Sequence, residues 1–261
     1  MSTPDHPVST EQIEPPVEAD AVQSRNSSVP PDPLLSVVIP AYNEIKTLEQ
    51  VVDRVLTVGL KVEVIMVDDG SVDGTRELMD KLVEKHDVVK AVKHTENQGK
   101  GAALQTGFQH ATGDLVIVQD ADLEYDPGDY HMILRPFLEQ NADVVYGSRY
   151  LVGRYIRVHP YYHYVGNRLL TFISNVFTGL KLTDMETCYK CFRREVVQDI
   201  KITSKRFTVE PEVTARIAKK HLRIFEVPIS YLGRDYAAGK KIGWKDGISA
   251  IYSIVKFRFW G

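Results

Sequence analysis

Leu115-Val116-Ile117-Val118-Gln119-Asp120-Ala121-Asp122-Leu123-Glu124 is the stretch that decides the fold. Four aliphatic residues, three of them β-branched, run into a polar residue and then three acids at alternating positions. A run this short and this apolar suits a strand buried on both faces, as in a parallel sheet covered by helices. In such sheets ligands gather outside the carboxyl ends of the strands. Acids at that place have two readings. They are hard oxygen ligands of the kind that hold Mg2+ or Mn2+ against substrate phosphates. Alternatively, they form an acidic turn capping the next helix, a task that Asp126-Pro127 also fits. Because they follow a buried strand rather than a polar run, Asp120 and Asp122 favour the metal reading.

Outward from this stretch the pattern alternates. Apolar, β-branched runs occur at Leu35–Ile39, Val62–Val67, Val88–Val92 and Val144–Tyr146. Helical spacing predicts helices over Ile45–Val58, Thr75–Lys85, Gly101–His110 and Tyr130–Gln140. The expected fold is therefore α/β, a mostly parallel sheet covered on both sides. After Arg149 the rhythm changes. A long amphipathic stretch covers Tyr161–Leu180, a strand or hairpin is expected around Thr187–Arg193, and a helix near Glu210–Lys220. A strand at Arg223–Pro228 and a helix over Trp244–Phe259 complete the pattern.

Three strand-to-helix turns carry polar residues worth weighing. At Pro40-Ala41-Tyr42-Asn43-Glu44, Asn43 is a good helix cap and Glu44 suits a helix N-terminus without any ligand. At Asp68-Asp69-Gly70-Ser71, with Asp73 behind, one aspartate is expected to cap the helix near Gly74. A second would be left unpaired at the end of a buried strand unless a ligand donor meets it. At Asn97-Gln98-Gly99-Lys100-Gly101 the glycines permit a tight turn, and Lys100 offers a charge to a phosphate.

Taken together and in order, Pro40–Glu44, Val67–Ser71, Asn97–Gly101, Asp120–Glu124 and Gly147-Ser148-Arg149-Tyr150 resemble a family 2 glycosyltransferase with a nucleotide-diphospho-sugar transferase (GT-A-like) fold. The likeness is greatest to the dolichol-phosphate mannose synthase and polyprenyl-phosphate glycosyltransferase group, and it covers roughly Leu35 to Lys256. Each motif alone is weak; their joint order is specific. The resemblance implies that Pro40, Tyr42, Glu44 and Asp69 hold the nucleoside, with Val67 beside the base. It implies that Asp120, Ala121 and Asp122 bracket the diphosphate and a Mg2+ or Mn2+ ion. Glu124 completes the ligand set where related synthases have a glutamine. It singles out Arg149 and Arg168 for the acceptor phosphate. Arg234, Lys240 and Lys241 match a late basic loop that closes over the phosphates, either lysine serving as the equivalent one. After Asp184 the family has a small or glycine-rich segment. Met185-Glu186-Thr187-Cys188-Tyr189-Lys190 stands there instead, which leaves the sugar and the acceptor open.

The expected reaction is one inverting displacement at the anomeric carbon, moving a hexose from a nucleotide-sugar donor to a polyprenyl phosphate. Asp122, Arg149, Arg234 and Lys241 are its expected catalytic residues. A phosphate monoester with a second pKa of about 6 needs little help from a base. Asp184 is a candidate base or a structural aspartate at a helix end. Rival readings are the same chemistry on a soluble or glycan acceptor, an inactive donor-binding scaffold, and a receiver-type phosphoacceptor. Receivers are about half as long and begin at the acidic pair.

Composition sets the frame for these expectations. With 261 residues, 43 % hydrophobic and 26 % charged, the chain can bury a full core. A net charge of −3 gives no positive field for nucleic acid. Two cysteines, Cys188 and Cys191, fit buried free thiols and a reducing compartment. Residues 1–33 hold seven of the thirteen prolines and no aromatic, and read as a disordered tail. The glycosyltransferase domain is expected over 34–261, with a donor half (34–150), an acceptor half (151–242) and a C-terminal amphipathic helix (243–260). No basic-then-apolar segment opens the chain, and no apolar run reaches the ~18 residues of a span. The expectation is a cytoplasmic protein, peripheral on the membrane's cytoplasmic face, with room for a membrane-protein partner. The aromatic and basic C-terminal helix either lies in the bilayer interface or packs on its own domain. Tyr161, Tyr162, Tyr164 and Phe172 line a lipid path or belong to the core.

Overall fold

The computed structural model describes residues 28–151, 161–205, 208–233 and 244–260. Its strands are β1 (Leu35–Ala41), β2 (Val62–Asp68), β3 (Val89–Lys93), β4 (Leu115–Val118), β5 (Val144–Ser148), β6 (Lys190–Arg193) and β7 (Ile224–Pro228). Between and after them run α1 (Leu48–Leu56), α2 (Thr75–Lys85), α3 (Lys100–His110), α4 (Tyr130–Glu139), α5 (Tyr161–Thr178), α6 (Arg194–Gln198), α7 (Val209–Ala218) and α8 (Trp244–Trp260). All seven strands form one sheet in the order β3-β2-β1-β4-β6-β5-β7.

The central strands are buried from end to end, which is why their sequences read as unbroken aliphatic runs. The edge strand β3 is instead only partly buried, and its Lys90 and Lys93 discourage pairing with another chain. From β1 the chain builds towards β2 and β3 on one side, then crosses back to place β4 on the other. β1 and β4 thus flank the point where strand order reverses, the place where open α/β sheets bind ligands. The crevice opens because β4 follows β1 only as far as Val38, where the Gln119 amide donates to the Val38 carbonyl (2.9 Å).

At the opposite edge, β2 buries Glu63. Its carboxylate accepts from Ser36 Oγ, Lys90 Nζ (2.8 Å), and the backbone amide and hydroxyl of Thr112. Burial alone would raise its pKa, but the bonds from Lys90, Ser36 and Thr112 outweigh it and bring the group down to about 2.

One open alternative is resolved and two expectations are corrected. The segment around Thr187–Arg193 is a single strand, β6, lying antiparallel between β4 and β5. Asn43 does not cap α1, which starts at Leu48. Asn43 takes a positive φ of 58°, and its Oδ1 accepts from the Val72 amide, tying the first turn to the second. Packing begins before Leu34, since Val29 rests on the core and Asp32 pairs with Lys61. Residues 1–27 of the expected tail lie outside the described residues.

The C-terminal helix packs on α5 and α7. Ala250, Ile254 and Phe257 are buried there, while Tyr252, Phe259 and Trp260 stay exposed. On α5, Tyr161, Tyr164 and Phe172 are exposed rather than core, together with Val165, Leu169 and Val176. Phe177 meets Phe259 edge-on at 6.2 Å, joining the two helices. No helix among the described residues is long and apolar enough to cross a membrane.

Candidate active site

The site lies along the carboxyl edge of β2, β1, β4 and β5. At the end of β1, Pro40 still pairs with Val67, and the chain then turns outward. Tyr42, the first residue after β1, is exposed. Glu44 Oε2 accepts from Thr47 Oγ1 (2.9 Å), and the Glu44 amide donates to Thr75 Oγ1 (3.0 Å). Val67 is fully buried in the core.

All three aspartates of the second turn have partners within the protein, so the expectation of an unpaired one is corrected. Asp73 stands just before Gly74, the N-cap of α2, accepting from the amide and hydroxyl of Thr75 and from the Ile45 amide. Asp68 accepts from the amides of Gly70 and Ser71 and lies 2.8 Å from Arg76 Nε. Asp69, 3 % exposed, accepts from the amides of Gln98 (2.9 Å) and Gly99 (2.7 Å), and its Oδ1 sits 2.9 Å from His94 Nδ1. Its carboxylate therefore shapes the 97–101 loop. These partners come from a turn some thirty residues on, a distance no local pattern conveys.

That loop is fixed from the other side as well. Gly99 has a φ of +96°, and a Cβ there would stand 1.7 Å from the Lys205 carbonyl oxygen. A Cβ at Gly101 would stand 1.7 Å from the Ser204 carbonyl oxygen. Only glycine lets the 203–205 segment close on the start of α3. Lys100, between them, reaches Asp120 (2.9 Å) and Glu210 on α7 (3.3 Å). Burial works against the ammonium, yet the Asp120 and Glu210 carboxylates hold its pKa well above the ordinary lysine value. Asp120 moves down in turn, Lys100 outweighing the cost of burial.

Gln119 anchors this acid. It is buried, its Oε1 accepts from Tyr130 (2.6 Å) and Tyr189 (2.7 Å), and its Nε2 donates to the Asp120 carbonyl (3.0 Å). Sequence reasoning passed over Gln119, although a polar residue closing a buried strand was the available signal. Ala121 is buried, and Asp122 Oδ1 accepts from the Glu124 amide (3.1 Å). Glu124 departs from expectation. Its Oε2 accepts from Tyr231 (2.6 Å), and its carbonyl accepts from the Leu232 amide (2.8 Å). Among the described residues no three metal-capable side chains come together, so the three-carboxylate set is not assembled. Asp120 and Asp122 remain as a pair, which suits Mg2+ or Mn2+, since Mg2+ is commonly held by one or two carboxylates with substrate phosphates completing the shell.

Beyond β5, Arg149 is clamped by Asp184. Nε and Nη2 donate to the two carboxylate oxygens (2.6 and 2.7 Å), and the Arg149 amide donates to Oδ2 (3.1 Å). Asn167 adds a fourth bond to Asp184 (3.2 Å). Asp184 is fully buried and serves as the counter-ion of Arg149. Glu226 on β7 braces this turn by accepting from the amides of Thr183 and Asp184. The guanidinium also faces the Tyr231 ring at 5.1 Å. Arg168 is exposed on α5 and donates to the Thr183 carbonyl (3.3 Å). Arg154, Arg157, Arg234, Lys240 and Lys241 lie outside the described residues. Both cysteines are buried and free, as expected.

Known proteins resemble this chain in sequence and fold. The chain is 32 % identical over 224 residues to a polyprenol monophosphomannose synthase of Mycolicibacterium smegmatis, covering 83 % of this chain and 84 % of that one. It is 28 % identical to a UDP-N-acetylglucosamine–dolichyl-phosphate N-acetylglucosaminyltransferase of Methanococcus voltae, covering 87 % and 97 %. Among solved structures, glucosyl-3-phosphoglycerate synthase of Mycobacterium tuberculosis shares the fold. That complex with Mn2+, uridine diphosphate and phosphoglyceric acid superposes with a TM-score of 0.65 at 19 % identity, covering 97 % of this chain and 87 % of that one. The model of the family described as glycosyl transferase family 2 matches residues 36–201, well over half of the chain. With its sheet order and motif positions, this chain belongs to glycosyl transferase family 2 and is a glycosyltransferase of the GT-A fold.

Proposed function

We propose that the protein transfers a hexose from a nucleotide-diphospho-sugar to a polyprenyl phosphate, with inversion and with a divalent cation. The observation that carries this reading is the Asp120–Asp122 pair at the strand-order reversal, with Arg149 two strands away in the sheet. The names of the two relatives above, both acting on a polyprenol or dolichyl phosphate, support the acceptor.

In this reading the exposed Tyr42 ring stacks on the base, flanked by Pro40 and Glu44. Asp69 acts through the backbone, holding the Gln98–Gly99 turn so that Lys100 stays beside Asp120. Asp120 and Asp122 would hold Mg2+ or Mn2+, which when bound supplies charge to offset the departing nucleoside diphosphate. Lys100 supplies a fixed positive charge on the same side. Arg149 sets its guanidinium charge toward the acceptor phosphate while Asp184 keeps the fork in place. With Asp184 committed to that pair, no protein base is required, because the acceptor monoester is already largely ionised at neutral pH. Arg234 with Lys240 or Lys241 adds charge over the phosphates.

The acceptor's lipid reaches the site from a bilayer on whose cytoplasmic face the protein rests. The exposed Val165, Leu169, Phe172 and Val176 on α5, with Phe259 and Trp260 on α8, support that placement. The test is turnover of a panel of nucleotide sugars with Mn2+ or Mg2+, offered polyprenyl phosphate in vesicles or soluble phospho-acids. Asp122→Ala is expected to lower turnover by about 10²-fold or more while the fold survives. Unchanged activity in that variant removes the metal assignment, and transfer only to soluble acceptors removes the lipid.

A further inference from the structure

Because β6 runs against β4 and β5, the residues that precede it stand at the carboxyl edge of both. The Thr183–Tyr189 turn therefore fills the space between Asp120, after β4, and Arg149, after β5. The Gly147 amide donates to the Tyr189 carbonyl (2.8 Å), and the Cys188 amide donates to Tyr125 Oη (3.0 Å), so the strip is pinned on both sides. The Cys188 thiol also reaches the Val118 carbonyl at the end of β4 (4.0 Å). In the reaction proposed above, the diphosphate lies on the Asp120 side and the acceptor phosphate on the Arg149 side. What passes between them is the sugar.

Two buried oxygens on this strip have no hydrogen-bond partner among the described residues, Glu186 Oε1 and Thr187 Oγ1. Buried polar atoms are almost always satisfied, and the exceptions need a reason. The neighbouring cations do not supply one. Arg149 Nε and Nη2 donate to Asp184 rather than to Glu186, and Lys190 Nζ donates to the Thr187 carbonyl. The charged groups facing Glu186 are Glu210 on α7, Lys190 on β6, Arg149 after β5 and Asp184 on its own turn. Burial and Glu210 push the carboxyl up to about 8, Lys190 and Arg149 offsetting only part of this. At neutral pH it is an uncharged acid, able to sit between two anionic phosphates and both give and take a hydrogen bond.

We propose that Glu186, backed by Thr187, receives a hydroxyl of the sugar being transferred and sets which hexose the enzyme accepts. A hexose lacking that hydroxyl, or carrying it on the other face of the ring, leaves the buried pair unpartnered, the situation in which polar sites discriminate most strongly. The Met185-Glu186-Thr187 departure from the family's small-residue segment is then the sequence trace of donor choice. The inference rests on the donor chemistry proposed above.

The experiment compares the full chain with Glu186→Gln and Glu186→Ala, using Mn2+ and nucleotide sugars that differ at single hydroxyls, between pH 6 and 9. Calorimetry with the matching nucleoside diphosphate reports folding and donor-side integrity. Glu186→Ala is expected to lose roughly 10-fold or more in kcat/KM on the preferred donor and to lose its preference over the epimers. Nucleoside diphosphate affinity stays unchanged. Wild type should decline above about pH 8, where ionisation sets a third negative charge between the phosphates, and Glu186→Gln should keep the preference without that decline. Retained preference in Glu186→Ala overturns the inference, as does an unaltered alkaline decline in Glu186→Gln. Wild-type protein that turns over none of the sugars overturns the donor chemistry itself.

Discussion

Replacing Asp184 with asparagine probes the Arg149 clamp without changing the volume of the site. Asp184 is fully buried and accepts four hydrogen bonds, three of them from Arg149, whose side chain is only 15 % exposed. Asparagine keeps one acceptor but points a donor at the guanidinium and leaves its charge without a counter-ion. Breaking a buried pair from one side costs about 3–5 kcal/mol. For a domain of this size each kcal/mol shifts Tm by roughly 2–4 °C, so melting should fall by roughly 6–20 °C. Activity at a permissive temperature should fall through KM for the acceptor phosphate, because the Arg149 guanidinium is aimed only while Asp184 holds it. Nucleoside diphosphate binding, at the carboxyl ends of β2, β1 and β4, should not change. Differential scanning calorimetry and two-substrate kinetics measure both effects. A variant that melts within about a degree of wild type, with an unchanged acceptor KM, would mean the pair neither stabilises the fold nor positions the arginine.

Two further outcomes concern the frame that carries the site. Glu63 has a folded pKa of about 2 against an ordinary 4.5, so its contribution is complete above pH 4.5 and drains away as pH falls towards 2. That difference is worth about 3 kcal/mol, and Glu63→Gln should flatten the acid limb of a denaturation series; an acid limb equal to wild type refutes the assignment. Gly101→Ala would drive a methyl into the Ser204 carbonyl. It should cost about 1–3 kcal/mol and displace Lys100 from Asp120, read as lower Tm together with weaker nucleoside diphosphate binding.

Most of the fold was legible because parallel, doubly covered strands leave an aliphatic signature. β4 begins and ends where the hydrophobic run does, and β1 and β2 extend past theirs only by the residues that carry the turns. β6 was harder. Lys190-Cys191-Phe192-Arg193 says strand, but direction and neighbours depend on chain far away in sequence. The site divides in the same way. Motif order located Pro40–Glu44, Asp120–Asp122 and Arg149 along one edge, whereas the partners that decide each side chain's state were invisible. Tyr231 takes Glu124 from 107 residues away, and Asp69 spends its carboxylate on Gln98 and Gly99. Both aspects follow from one cause. Burial pattern is written locally, while hydrogen-bond partnership is settled only when distant segments meet.

The reversed strand also governs how the molecule can be divided or assembled. β5 belongs by position to the nucleotide-binding half, yet its ladders are made with β6 and β7, both supplied by later sequence. A fragment ending near residue 150 would carry a strand with no companion and a β4 flank left bare. During synthesis that flank stays uncovered until Arg193 has left the ribosome, a window in which a chaperone or a sticky neighbour can compete for it. Swapping acceptor modules between relatives should accordingly succeed only when the crossover lies before β5 or beyond β7, so that the borrowed piece brings its own sheet partners.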